Sequence, residues 1–193
     1  AFTFSTLRRY AEELAPLDAL SGSVRSDGRP GLGDCAPGKN TICVGDSYYQ
    51  DEFVQYKGFV AFPFEAPADA AELEAAVLRI RVRNTAETTD GAVIDDPFGE
   101  LGPLLVDPVR YSALDDAAFD AAALAEPQVF ANAATPGATL TGAIPAILDA
   151  EALAHGSLQF RLAFELENNG VPNANAVVFD APSSRLDLTY LLP

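Results

Sequence analysis

The chain has 193 residues, of which 49% are hydrophobic and 21% charged, a composition typical of a folded protein with a sizeable core. Its 28 acidic and 12 basic residues give a net charge of −16, which argues against nucleic acid as a partner because phosphates would be repelled. No apolar run approaches the roughly 18 residues that a membrane-spanning helix needs, so we expect no membrane span.

The first predicted element is a strand over residues 1–7. Phe2 and Phe4 alternate with polar residues and Leu7 follows, which is the period of a half-buried strand. Residues 8–20 follow as a spacer, and part of this stretch is compatible with a helix that Pro16 interrupts. An exposed apolar strand promotes aggregation, so we expect residues 1–7 to be covered. The cover is either the chain's own sheet or the sheet of a neighbouring copy.

The two cysteines, Cys35 and Cys43, lie in the segment DCAPGKNTIC. The turn-forming pairs Pro-Gly and Lys-Asn between them can fold the chain back and bring the sulfurs together. Zinc is a poor alternative because His155 is the single histidine. We therefore predict a disulfide, with two buried free thiols as the alternative. A disulfide in turn indicates an oxidising compartment outside the cytoplasm.

Further strands are predicted in chain order, with residues 27–52 read as a loop-rich stretch. Several of them alternate between apolar and polar residues, as strands with one buried face do. The predicted strands cover residues 20–28, 53–64, 76–83, 104–111, 128–132, 139–141, 157–166, 176–180 and 185–192. Short helices are predicted over residues 115–124, with Asp115 or Asp116 near the N-cap, and over residues 143–156.

Short strands separated by turn-rich loops predict an all-β, antiparallel jelly-roll β-sandwich with one or two short helices. We assign residues 1–20 to the N-terminal strand and spacer, and residues 21–193 to a single sandwich domain. The apolar faces of the predicted strands give the core, which we expect to include Phe62, Leu78, Ile80, Phe160, Leu162, Phe164 and Leu188.

The order of these features resembles a known family from residue 21 onward. The segment YKGFVAFPFEAPADAAELEAAVLRIRV, then DDPFGELGPLLVDPVRYSALDDAAFD, SLQFRLAFEL and the closing RLDLTYLL resemble the secreted β-sandwich modules called DNRLRE domains. This resemblance implies an antiparallel jelly-roll exported from bacteria or archaea, non-catalytic, with relatives that bind polysaccharide. Residues 1–20 lie outside it.

Three kinds of functional site are relevant to this chain: catalytic, metal-binding and sugar-binding. Catalysis is not expected, because the chain lacks a nucleophile elbow and a phosphate-binding glycine loop. Its adjacent acidic pairs, Asp95-Asp96 and Asp115-Asp116, are more typical of solvated loops than of two carboxylates placed across a cleft. A structural Ca²⁺ is a candidate cofactor, because one predicted loop carries four acidic residues, Asp90, Asp95, Asp96 and Glu100. Tyr48 and Tyr49 form a candidate pair for stacking against a sugar ring.

Two functions follow as hypotheses. In the first, the chain is a non-catalytic extracellular subunit of a surface or matrix filament, and it binds copies of itself head to tail by donating the strand that carries Phe2, Phe4 and Leu7. In the alternative, it is a secreted polysaccharide-binding module of the cell surface. The N-terminal strand favours the first, because a binding module has no need of it.

Overall fold

The computed structural model describes residues 8–65, 72–85, 96–144, 148, 156–172 and 174–192. Strands dominate these residues. They are β1 (Arg8–Leu14), β2 (Gly22–Arg25), β3 (Thr41–Tyr49), β4 (Glu52–Pro63), β5 (Glu72–Thr85), β6 (Leu104–Pro108), β7 (Gln128–Ala131), β8 (Thr139–Ala143), β9 (Ser157–Phe164) and β10 (Asn175–Leu192). Two short helices, α1 (Pro97–Leu101) and α2 (Asp116–Phe119), complete them. The predicted all-β fold with short helices is confirmed.

Every described ladder is antiparallel, and the strands form one large, nearly barrel-shaped sheet in the order β7-β6-β9-β4-β3-β10-β5-β8. β1 is added to β10 and β2 to β4. No ladder joins the two ends, β7 and β8, within the described residues. Side chains link them instead: Gln128 Nε2 donates to the Ala143 carbonyl, and the Phe130 ring lies where a Cβ on Gly142 would be. We call this junction the β7–β8 seam.

Strand β10 is the longest element, with 18 residues, and β5 pairs with it over most of its length. On its other side β10 pairs first with β3, as far as Asp180, and then with β1, from Leu186 onward. A register shift against β5 between Asp180 and Arg185 marks the corner between these halves. The sequence predicts two strands here, because Pro182 and two serines separate the apolar runs. The structure has one strand with a bulge.

The core lies between the curled faces of the sheet. All seven residues predicted for the core are buried in one large cluster, with exposed fractions of 4% or less. Strand β4 is buried on both faces, since Val60 and Phe62 belong to this cluster while Phe59 packs with Phe119 in a second one. β4 therefore reads as a nearly continuous apolar run, as fully covered strands do.

The disulfide between Cys35 and Cys43 is confirmed, with Cα atoms 5.7 Å apart. Cys43 is fully buried in a small cluster with Tyr56 and Val178, and Cys35 packs against it from the loop. The bond therefore attaches the glycine-rich loop before β3 to the body of the sheet.

Other predicted features also differ from the structure. Residues 8–14, read as spacer and partly as helix, form β1, because pairing with β10 outweighs the helix propensity of Ala and Glu. Residues 41–49, read as loop, form β3. The helix over residues 115–124 is shorter, confined to Asp116–Phe119, and Asp115 caps it by accepting from Ala118 N. The helix expected over 143–156 lies largely outside the described residues, and its first residue, Ala143, ends β8.

Candidate functional site

Strand β1 is an edge strand at one end of the sheet. Its ladder with β10 begins at the pair Arg8–Leu192, and we call this end of the molecule the N-terminal pole. Tyr10, Glu12 and Leu14 share the face that lies over the core, and only Leu14 is fully buried. Phe2, Phe4 and Leu7, the predicted donor residues, lie outside the described residues.

Charged side chains protect β1. Arg9 forms a two-pronged ion pair with Glu74 of β5, and Glu13 pairs with Arg79 at 2.5 Å. Arg79 also binds Asp187 of β10 at 2.8 Å. Charges on an edge strand discourage pairing with other chains. Charged side chains occur along Arg8–Glu13, whereas residues 1–7 carry none.

The opposite end of the sheet is formed by the hairpin between β3 and β4. Its turn uses Gln50 and Asp51, both with positive φ (53° and 65°), as in a type I′ turn. Tyr48 and Phe53 lie opposite each other across the hairpin, with ring centroids 5.1 Å apart in an edge-to-face arrangement. They expose 36% and 41% of their surface. We call Ser47–Phe53 the hairpin tip and this end the hairpin pole.

The two predicted sugar-stacking tyrosines, Tyr48 and Tyr49, are the last two residues of β3. Tyr48 stacks on Phe53, its cross-strand neighbour, whereas Tyr49 follows it along the same strand. A sugar-stacking role for this pair stays a prediction. The side chain of Tyr49 lies outside the described residues. Sequence reasoning missed Phe53, because the turn lacks the Asn-Gly signal that marks a two-residue hairpin.

A buried carboxylate fixes the base of the hairpin tip. Asp46 is fully buried and accepts hydrogen bonds from Asn175 N (3.1 Å), Asn175 Nδ2 (3.2 Å) and Asn169 N (3.3 Å). Burial raises the pKa of Asp46, and these hydrogen bonds act in the opposite direction. The network ties the start of β10 and the loop before it to β3.

A second buried charge network lies on the outer face of β4. Arg161 binds Asp107 at 2.7 Å and donates to the Ala121 carbonyl, with both charged side chains largely buried. Burial raises the pKa of Asp107, against the effect of Arg161. Nearby, Lys57 Nζ lies 3.9 Å from the centroid of the Phe119 ring and donates to its carbonyl, and burial lowers the pKa of Lys57. Each group is held by protein partners, which is typical of a structural network.

A cleft of about 440 Å³ lies between β2, the glycine-rich loop and the start of α2. Its lining is nearly evenly divided between polar and apolar surface, and the polar side chains include Ser21, Arg29, Asn40, Asp115 and Asp116. Hydroxyl, amide and carboxylate groups around a cleft of this size suit a ligand that both donates and accepts hydrogen bonds. No sequence signal marks this cleft, because its lining residues come from three separate segments.

The calcium candidates are only partly described. Asp90 and Asp95 lie outside the described residues. Asp96 caps α1 by accepting from Phe98 N at 3.2 Å, and Glu100 accepts from Asn169 Nδ2 at 3.0 Å. Within the described ranges no three His, Cys, Asp or Glu side chains converge on a common point that could hold a metal ion. Asp96 and Glu100 thus have protein partners, and a Ca²⁺ site at this loop stays a prediction.

His155, the single histidine, and the predicted absence of a membrane span remain to be placed. His155 lies outside the described residues. Of the described residues, those in helices form segments too short and too polar to cross a membrane.

No family model matches the chain, and a comparison with curated proteins found no match. The resemblance to DNRLRE modules therefore stays a prediction, and the case for function rests on the chain itself.

Proposed function

We propose that this chain is a non-catalytic structural protein, exported from the cell, that assembles into a surface or matrix filament by donating the strand at residues 1–7 to a neighbouring copy. The observation that carries the proposal is the contrast between edge strand β1 and the sequence directly before it. Residues 8–13 of β1 are guarded by charge, while the sequence directly before them is uncharged, aromatic and alternating.

The register of β1 supports this reading. Phe2 and Phe4 have the same parity as Tyr10 and Leu14, which lie over the core of their own sheet. A strand that continues β1 toward residue 1 carries both rings on that apolar face and Leu7 on the other. Burying two Phe rings is worth roughly 3–6 kcal/mol before the entropy of ordering the segment is subtracted.

The disulfide supports export, because such bonds form and persist in oxidising compartments. Donation that runs one way between identical copies gives an open chain of subunits rather than a closed ring, unless the rotation closes. The proposal therefore predicts polymers of variable length.

The test compares the full chain with the double variant Phe2→Ser/Phe4→Ser by sedimentation velocity and electron microscopy. We expect the wild type to form filaments and the variant to remain a folded monomer with an unchanged circular dichroism spectrum. The matched control is Val129→Ser, which removes another exposed apolar side chain (49% exposed) and should leave assembly unchanged. A wild-type chain that stays monomeric at millimolar concentration contradicts the proposal.

The cleft favours a second candidate function, binding of a saccharide. Because the chain carries a net charge of −16 and the cleft contains carboxylates, the favoured ligand is a neutral sugar chain whose hydroxyls donate to Asp115 and Asp116. Titration calorimetry with neutral oligosaccharides tests it. Asp116→Asn should weaken binding, whereas Asp120→Asn, at the other end of α2, should not. Unchanged binding by Asp116→Asn, or no heat with any neutral glycan, contradicts this candidate.

A further inference from the structure

The hairpin tip presents two aromatic rings to solvent at the far end of the molecule from β1. Tyr48 and Phe53 are both exposed, and their rings contact each other edge to face. Scattered exposed apolar residues are common, but a contiguous pair on a protruding hairpin is the kind of anchor that protein interfaces use.

An unpaired strand edge runs beside these rings. The ladder between β3 and β10 ends at Asp46–Asn175, whereas β3 continues to Tyr49. In the part of the chain that the structure describes, Ser47–Tyr49 therefore pair with β4 on one side and with no strand on the other. The hydrogen bonds of Asp46 hold Asn175 and Asn169 in place, so this edge begins at a fixed point in line with β10.

We propose that the hairpin tip of one copy receives residues 1–7 of a second copy. The incoming strand adds to the edge at Ser47–Tyr49, and its two phenylalanines pack against Tyr48 and Phe53. This inference rests on the proposed function and names the acceptor for the donated strand.

The distance between the two poles is longer than residues 1–7 can reach, so the donor must come from a second copy. Strand β5 runs from one pole to the other, with Glu72 opposite Leu191 and Thr85 opposite Val177. Its 14 residues have a contour length of about 43 Å at about 3.3 Å per residue, and even a right-angle bend at the corner would leave roughly 30 Å between its ends. Residues 1–7 reach at most about 24 Å from Arg8 when fully extended. A chain therefore cannot place this segment on its own hairpin tip, but a copy stacked end to end can.

Charge also matches the two surfaces. The donor segment leads into Arg8 and Arg9, a basic pair in a chain with a net charge of −16. Among the described residues Arg8 is exposed and has no ion-pair partner. The acceptor carries Asp51 and Glu52, both exposed, at the turn. Opposite charges at the two poles favour head-to-tail contact over head-to-head contact, and they make association weaker at high salt.

The experiment is a complementation test with full-length chains. A donor variant, Phe2→Ser/Phe4→Ser, keeps an intact acceptor, and an acceptor variant, Tyr48→Ser/Phe53→Ser, keeps an intact donor. Each alone should be monomeric. Mixed in equal amounts they should form a 1:1 heterodimer and nothing larger, because the dimer has one defective donor and one defective acceptor left over. The control for the acceptor is Val129→Ser, which should polymerise like the wild type.

A binding measurement keeps the test independent of polymer yield. A fluorescent peptide AFTFSTLRRY should bind the folded donor variant saturably, and the further change Phe53→Ser should weaken it about tenfold or more, as loss of an aromatic anchor does. Glu52→Lys should weaken it less, with the difference disappearing at high salt.

The outcomes separate the two proposals. If the wild type polymerises and the donor variant does not, but the acceptor variant polymerises normally, strand donation stands and the hairpin tip is not the acceptor. If the wild type itself never polymerises and the peptide does not bind, both proposals are wrong.

Discussion

Tyr10 and Tyr190 lie directly opposite each other in the ladder between β1 and β10, with ring centroids 6.4 Å apart. Tyr10 exposes 46% of its surface and forms a lid over Tyr190, which exposes 2%. The hydroxyl of Tyr190 is buried and has no hydrogen-bond partner among the described residues. A buried polar group without a partner carries a desolvation penalty of about 1–3 kcal/mol.

We therefore expect Tyr190→Phe to raise the free energy of unfolding, by about 1 kcal/mol at neutral pH. The ring keeps its packing and only the hydroxyl is lost. Urea denaturation measures the change. Tyr10→Phe is the control and should stay within about 0.5 kcal/mol of the wild type, since its ring is half exposed. A loss of stability in Tyr190→Phe would mean that its hydroxyl has a partner.

Stability should fall at alkaline pH. Burial raises the pKa of Tyr190, Tyr111 and Tyr56 above the ordinary value of 10.0. An acid whose pKa is raised by folding holds its proton more tightly in the folded state, so its contribution is complete below pH 10 and is lost as the pH rises above it. Three such groups give a slope of up to about 4 kcal/mol per pH unit.

Denaturant titrations at a series of pH values above 10 measure this slope. Tyr190→Phe should reduce it by about one third, because one of three groups is removed. The control Tyr48→Phe changes a half-exposed ring and should leave the slope as it is. An equal reduction in both variants contradicts the assignment to buried tyrosines.

Loss of the disulfide should lower the free energy of unfolding by about 2–3 kcal/mol, the loop-closure value for cysteines eight residues apart. The two single variants are not equivalent. Cys43 is fully buried beside Val54 and Tyr56, so Cys43→Ser also buries a hydroxyl, whereas Cys35 is only partly buried. We expect Cys43→Ser to cost about 1–2 kcal/mol more than Cys35→Ser. Equal costs in chemical denaturation would contradict the difference in environment.

Truncating a core side chain should strongly lower the free energy of unfolding. Phe160 is completely buried on β9 and packs against Phe62, with ring centroids 6.3 Å apart. We expect Phe160→Ala to cost about 3–5 kcal/mol because it leaves a cavity. Val129→Ala, on the exposed face of β7, should cost less than about 0.5 kcal/mol. A cost for Phe160→Ala below about 1 kcal/mol in a denaturant titration would show that this face of β9 is not buried.

Removal of Arg161 should cost about 3–5 kcal/mol at pH 7, because Asp107 is then left charged and unpaired in the interior. Burial raises the pKa of Asp107 above 3.8, so the carboxyl takes up a proton on acidification more readily in the folded state than in the unfolded state. The cost of Arg161→Met should therefore shrink as the pH is lowered toward 4. The matched control Arg79→Met breaks a half-exposed pair and should cost less than about 1 kcal/mol.

The strands with one buried face and one solvent-facing face were predictable from their sequence. In β5 the alternation of Leu78 and Ile80 with Arg79 and Arg81 assigns each side chain to the core or to solvent, and the structure places them so. The disulfide was predictable for a similar reason, since turn residues between Cys35 and Cys43 decide the local geometry.

Features set by distant partners were not predictable. Strand β3 carries Asp46 on its inner face, and this residue is tolerated there only because Asn175 and Asn169, more than 120 residues away, supply hydrogen bonds. Gly45 looks like a loop residue, yet it is required because an added Cβ would lie 1.9 Å from the Asn175 carbonyl. The candidate acceptor was hidden for the same reason, since Tyr48 and Phe53 are its parts and the pairing of β3 with β4 brings them together.

The antiparallel ladder of β1 with β10 has a mechanical consequence. A pull along the long axis, applied at Arg8 and resisted at the hairpin pole, drags β1 lengthwise past β10 and strains the hydrogen bonds of Arg8–Leu14 together instead of one after another. A pull across the sheet at the β7–β8 seam meets no ladder among the described residues, and there it is opposed by the Gln128 hydrogen bond and the packing of Phe130 on Gly142. The protein should therefore withstand a larger force along the strands than across them, and under load the β7–β8 seam should separate before β1 is pulled from β10.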